Sequence, residues 1–194
     1  MLRNQSDDPR PLFRRALDQA EHLASAVRPD ELRNPTPCTD YDVRSLLGHM
    51  VEVVGMLAQL GAGGDSSRAR KATDATADHG WASAFRQARA ETERVWADDA
   101  VLDRHLTLPW ATLPGRGALG AYTHELTVHS WDLAHATDRL AELDPDLGAS
   151  ALVWFAEFVP AESRGEEVSF GPAVPVPDDT DVYTRLAAYT GRQP

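Results

Sequence analysis

Every long segment of this chain repeats its apolar residues at spacings of three and four. That period places them on one face of an α-helix, and it leaves little room for the two-residue alternation of a half-buried strand. Phe13, Leu17, Ala20, Leu23 and Val27 make a first stripe, closed by Pro29. A Pro-rich loop follows, with Thr39 or Asp40 as the expected N-cap of a second helix. That helix carries Val43, Leu46, Leu47, Met50, Val53, Val54 and Leu57. A third starts near Trp81 and a fourth near Ala118. A fifth presents Leu147, Ala151, Trp154, Phe155 and Phe158, and a short last one has Val182, Leu186 and Tyr189. Between them, residues 61–80 read as a loop, 104–117 as a short strand or hairpin, and 169–181 as an extended Pro-rich arm. The pattern predicts an all-α fold: a four-helix bundle with a short extended or hairpin element and a C-terminal arm plus short helix. No repeat or interior linker divides the 194 residues. One domain is expected, a bundle over 1–165 with the arm and helix of 166–194 packed on it.

The fourth helix holds the chemistry. Its stripe runs Leu119, Tyr122, Leu126, then position 129, Leu133, Ala136 and Leu140. Position 129 is histidine, so His129 falls on the core seam. Glu125 lies one turn before it and Asp132 nearly one turn after, within a narrow sector at about 100° per residue. His124 and His135 are expected to point elsewhere. A carboxylate beside a core histidine costs several kcal/mol unless it is paired or ligating. The same spacing also describes a surface Glu–His pair, or a core histidine satisfied by Glu125 alone. A metal would need a further ligand from another helix. His49, in "LLGHMVEVV" on the flank of the second stripe, is the candidate. Asp132 is a candidate to orient His129, the other reading being a surface or capping acid.

Composition excludes several partners. With 19 basic and 30 acidic residues the net charge is −11, which argues against phosphate-backbone binding and against an anionic membrane surface. No nucleic-acid or membrane partner is expected. Cys38 is the sole cysteine, so no internal disulfide can form. Together with an N-terminus lacking an apolar core segment, this predicts a cytoplasmic protein. Cys38 is expected to be a small loop residue, Trp131 a packing residue, and His22, His79 and His105 have no partner that sequence identifies. Lys71 is the single lysine among many arginines, a bias found with GC-rich genomes.

Three passages carry a resemblance: "NPTPCTDYDVRSLLGHM", "HELTVHSWDLAHAT" and the closing "FGPAVPVPDDTDVYTRLAAYTGRQP". In that order they resemble the DinB-like superfamily. More narrowly, they resemble its actinobacterial branch, similar to the N-terminal domain of mycothiol-dependent maleylpyruvate isomerase. The resemblance implies a four-helix bundle with a divalent metal, commonly zinc, at its mouth, held by a histidine on the second helix and an acid-x-x-x-His pair on a later one. Those positions here are His49, Glu125 and His129. Arg192 lies in the closing motif and could face an anionic substrate if the tail folds over the mouth, although a surface position is the simpler expectation. The isomerase it resembles continues into a further domain, whereas only the arm and short helix follow here, so the reaction is left open.

The function expected is that of a divalent-metal-dependent enzyme activating a low-molecular-weight thiol, mycothiol, for transfer or isomerisation on a small-molecule substrate. A water-activating hydrolase, or a non-catalytic metal- or ligand-binding protein, would use the same scaffold. A monomer or a homodimer is expected.

Overall fold

The computed structural model describes residues 8–64, 76–108, 110–161, 170–177 and 179–194. The fold is all-α, with one small hairpin. In chain order the helices are α1 (Arg10–Ala26), α2 (Val43–Gly61), α3 (Trp81–Trp96), the short α4 (Asp99–Asp103), α5 (Gly115–Ala136), α6 (Pro145–Phe158) and α7 (Val182–Tyr189). Strands β1 (His105–Thr107) and β2 (Thr112–Pro114) pair antiparallel just before α5, where the extended element was expected. Of the segment 61–80 read as loop, residues 65–75 lie outside the described residues, as do 169 and 178 of the arm. Among the described residues, no helix is long and apolar enough to cross a membrane.

Helix α2 starts later than the sequence predicts. Asp42, rather than Thr39 or Asp40, is the N-cap, its carboxylate accepting from the Ser45 amide at 2.8 Å. The reason lies upstream. Pro35 and Asp42 form an isolated bridge, and the Val43 amide donates to the Asn34 carbonyl at 3.0 Å. These bonds keep the loop from winding into the helix until Val43.

Helices α1, α2, α3 and α5 enclose the main core, with Leu17, Leu46, Met50, Leu57, Phe85 and Leu119 among its members. The expected stripe on α5 joins this core through Leu119, Tyr122, Leu126 and Leu133. Its last member does not, since Leu140 lies beyond the helix and is 45% exposed. The sequence reading assigns α5 one inward face, but the helix is buried on nearly all sides, as an internal helix must be. Val128 and Trp131 occupy its opposite face and pack with Ala151 and Phe155 of α6 and Leu186 and Ala187 of α7. Two of the polar residues inside this helix are satisfied locally: the hydroxyls of Thr123 and Thr127 donate back to the carbonyls of Leu119 and Thr123 at 2.7 and 2.8 Å. At the start of α5 only glycine fits, because a Cβ on Gly115 would stand 2.0 Å from the Val101 carbonyl oxygen.

The second core also changes the fate of His124. It was expected to point away from the interior, yet it is buried and its ring lies 5.2 Å from that of Trp154. Burial lowers its pKa to about 4, so the folded state holds it neutral where the unfolded chain would protonate it. The folded value is depressed below the unfolded one, near 6.5, so its contribution is complete above that pH and is lost as pH falls toward the folded value. Urea unfolding should therefore show stability declining by roughly 3 kcal/mol between about pH 6.5 and pH 4 from this residue. His124→Leu should flatten that decline. An unchanged pH profile in the variant would contradict it.

Candidate metal centre

The centre forms where α2 meets α5. His49 comes from the middle of α2, and Glu125 and His129 come from successive turns of α5. The His49 Nε2 and Glu125 Oε1 atoms are 3.3 Å apart, and the His49 and His129 rings meet edge to face at 4.8 Å. One donor atom from each of the three lies within 4.8 Å of the others, a group able to hold a metal ion. The side chains of His49 and Glu125 are 25% and 27% exposed, so the group opens to solvent. The structure thus brings together the three residues that sequence singled out.

A chain of contacts stands behind His129. Its Nδ1 lies 3.0 Å from Asp132 Oδ2. Asp132 is fully buried, and both its oxygens accept from the Arg192 fork: Nε to Oδ1 at 3.1 Å and Nη2 to Oδ2 at 2.9 Å. Burial alone would raise the Asp132 carboxyl, but the hydrogen bonds from His129 and Arg192 outweigh it and hold the group below the usual carboxylate range. Arg192 is not on the surface. It is 6% exposed, beneath the Phe170 ring. It is brought there by the turn after α7, where Gly191 takes a φ of +84° and the Arg192 amide donates to the Ala187 carbonyl at 2.9 Å. This is a glycine-terminated helix end folding the chain back on itself.

The loop before α2 supplies the near wall. The Tyr41 ring stacks on His49 at 5.1 Å and 19°, and meets His129 edge-on at 6.2 Å. Its backbone is pinned by the Thr36 hydroxyl, which donates to the carbonyls of Cys38 and Tyr41 at 2.9 and 2.8 Å. Cys38, half-buried, forms a second close group with His129 and Asp132. Burial pushes its thiol up, while the charge of Arg192 pulls the other way. Arg192 already engages both oxygens of Asp132 in this second group. Tyr122, nearly one turn before Glu125 on α5, is buried, and burial and the charge of Glu125 push its phenol up to about 12.

The donor set fits a divalent ion. Two imidazole nitrogens and one carboxylate oxygen suit zinc and similar borderline ions, and a carboxylate on the remaining nitrogen of a ligating histidine is the usual supporting arrangement. Elsewhere, Trp131 is buried as expected and packs beside His135. His22 has a partner that sequence did not identify, Glu142 Oε2 at 2.8 Å. His79 and His105 are exposed.

The sequence of residues 13–134 matches the family described as the mycothiol maleylpyruvate isomerase N-terminal domain. The chain belongs to this family. The domain is part of the DinB-like superfamily, and the matched range contains His49, Glu125, His129 and Asp132 but not Arg192. Two relatives, each described as an uncharacterized protein, come from Mycobacterium tuberculosis strains CDC 1551 / Oshkosh and ATCC 25618 / H37Rv. Each is 31% identical over 185 residues, covering 95% of this chain and 98% of the relative. No solved structure matches the chain. In this mycothiol maleylpyruvate isomerase N-terminal domain, the C-terminal segment beyond residue 134 thus reaches back to the centre through Arg192.

Proposed function

We propose that the chain is a divalent-metal-dependent enzyme that activates a low-molecular-weight thiol, mycothiol, for transfer or isomerisation on a small-molecule substrate, with zinc the expected ion. The observation that carries this reading is the meeting of His49, Glu125 and His129 at a solvent-open junction of two helices. Family membership adds the link to mycothiol. When bound, such an ion supplies Lewis acidity that lowers the pKa of a thiol ligand and yields a nucleophile at neutral pH.

The protein's own groups divide the remaining work. His49, Glu125 and His129 would hold the ion and leave a position open, the arrangement of catalytic rather than structural sites. Asp132 would accept a hydrogen bond from the Nδ1–H of His129, a tautomer that leaves Nε2 with its lone pair for ligation. Arg192 holds both oxygens of Asp132 in place. Tyr41 covers one face of His49 and fixes its ring plane.

The test uses cobalt-substituted protein. Adding mycothiol should produce a thiolate-to-cobalt charge-transfer band, and apparent affinity should rise with pH until the thiol is fully ionised, since binding releases a proton. No spectral change at millimolar thiol, with cobalt demonstrably bound, would overturn the thiol reading in favour of water activation or simple metal binding.

A further inference from the structure

Among the described residues two groups of side chains are close enough to hold a metal ion, and both contain His129. The first, with His49 and Glu125, is the centre described above. The second joins His129 to Cys38 and Asp132, with one donor atom of each within 4.8 Å of the others. It differs in chemistry, because it holds the only thiol of the chain. It also differs in setting. Asp132 is completely buried, His129 nearly so and Cys38 half-buried, so this group lies deeper than His49 and Glu125. Its parts are held in place. The Cys38 carbonyl accepts from the Thr36 hydroxyl and from the Tyr41 amide, each at 2.9 Å, which fixes the loop that carries the thiol. On α5 the Nδ1 of His129, 3.0 Å from Asp132 Oδ2, is the nitrogen on this side.

Charge decides which ion suits such a group. The Asp132 carboxylate is already matched by the Arg192 guanidinium, which engages both its oxygens. A hard ion, which depends on carboxylate and carbonyl oxygens, therefore gains little here. A soft ion binds through sulfur and deprotonates a coordinating thiol outright. We propose that Cys38, His129 and Asp132 form a second metal site, selective for a soft, thiophilic ion, and that it and the first centre exclude each other because they share His129. The proton balance gives the reason. A neutral imidazole has one lone pair. When Nδ1 gives it to the ion, the ring proton moves to Nε2, which no longer ligates at the first centre, and the Cys38 proton leaves to solvent. The proposal does not depend on the thiol reading, since no external thiol takes part.

The probe is cadmium added to the metal-free full chain. The wild type should show a thiolate-to-cadmium charge-transfer band that saturates at one ion per chain. Cys38→Ser should lose the band. His49→Ala, which lacks the first centre, should keep it, while His129→Ala should weaken the apparent affinity by more than about tenfold. Cadmium–proton correlation NMR on the wild type needs no variant: one bound ion should couple to both the Cys38 β-protons and the His129 ring protons. No sulfur band in the wild type, or coupling to Cys38 without His129, would overturn the site. So would an affinity that falls as far in His49→Ala as in His129→Ala, which would make Cys38 a ligand of the first centre instead.

Discussion

Replacing Arg192 by alanine is expected to destabilise the fold by about 3–5 kcal/mol, the range for removing one partner of a buried ion pair. Asp132 is completely buried and Arg192 nearly so. Without the guanidinium, a carboxylate would stay in the interior with only His129 as partner. Arg192→Lys should recover part of the loss, because it restores the charge but not the two-pronged fork. The gap between wild type and Arg192→Ala should narrow in acid. Asp132 has a folded pKa held below its unfolded value, so its contribution is complete above about pH 4 and is lost as pH falls through the folded value. The same substitution should weaken metal binding by about ten- to a hundredfold, the range for partners that orient a ligating histidine. Urea unfolding of metal-free protein separates the two effects. An Arg192→Ala variant within about 1 kcal/mol of wild type would show that the buried pair is not what holds the C-terminal segment down.

The second large effect concerns the ligands themselves. His49→Ala, Glu125→Ala or His129→Ala should each lower metal affinity by more than about a hundredfold, beyond what loss of a supporting partner costs. Three protein donors leave none to spare. Glu125→Gln should keep the helix and the side-chain shape but weaken binding through loss of the negative charge. His49 and Glu125 are partly exposed, so their substitutions should leave the helical circular dichroism unchanged. Loss of metal without loss of fold is the expected signature. Loss of both together would make these residues structural.

How much of this was legible in the sequence depended on the range of each interaction. The long helices were, because the three–four spacing around Leu17, Met50, Phe85 and Leu119 reports a buried face directly, and the hairpin was, as a break in that spacing between two helices; the short α4 was not. His129 was readable for the same reason, as a polar residue in an apolar stripe. His49 was readable only as a flank residue, and its meeting with Glu125 depends on how α2 packs on α5, which local periodicity does not encode. His124 was misplaced because α6 and α7 cover the other face of α5, a fact written in Trp154 and Leu186 rather than in α5 itself. Tyr41 and Cys38 reach the centre through loop geometry set by the Pro35–Asp42 bridge. Arg192 is far from Asp132 in the chain, and its only local signal is the glycine before it, which closes α7 and turns the chain inward.

Whether His49, Glu125 and His129 hold an ion is measured directly by metal content. Wild type and His49→Ala should be purified in parallel with neither added metal nor chelator, and their metal content determined by elemental mass spectrometry. Close to one divalent ion per chain in the wild type, and close to none in a folded His49→Ala, is the predicted result. A wild type that carries no ion and takes up none on titration with zinc, or a His49→Ala variant that keeps full occupancy, would contradict it.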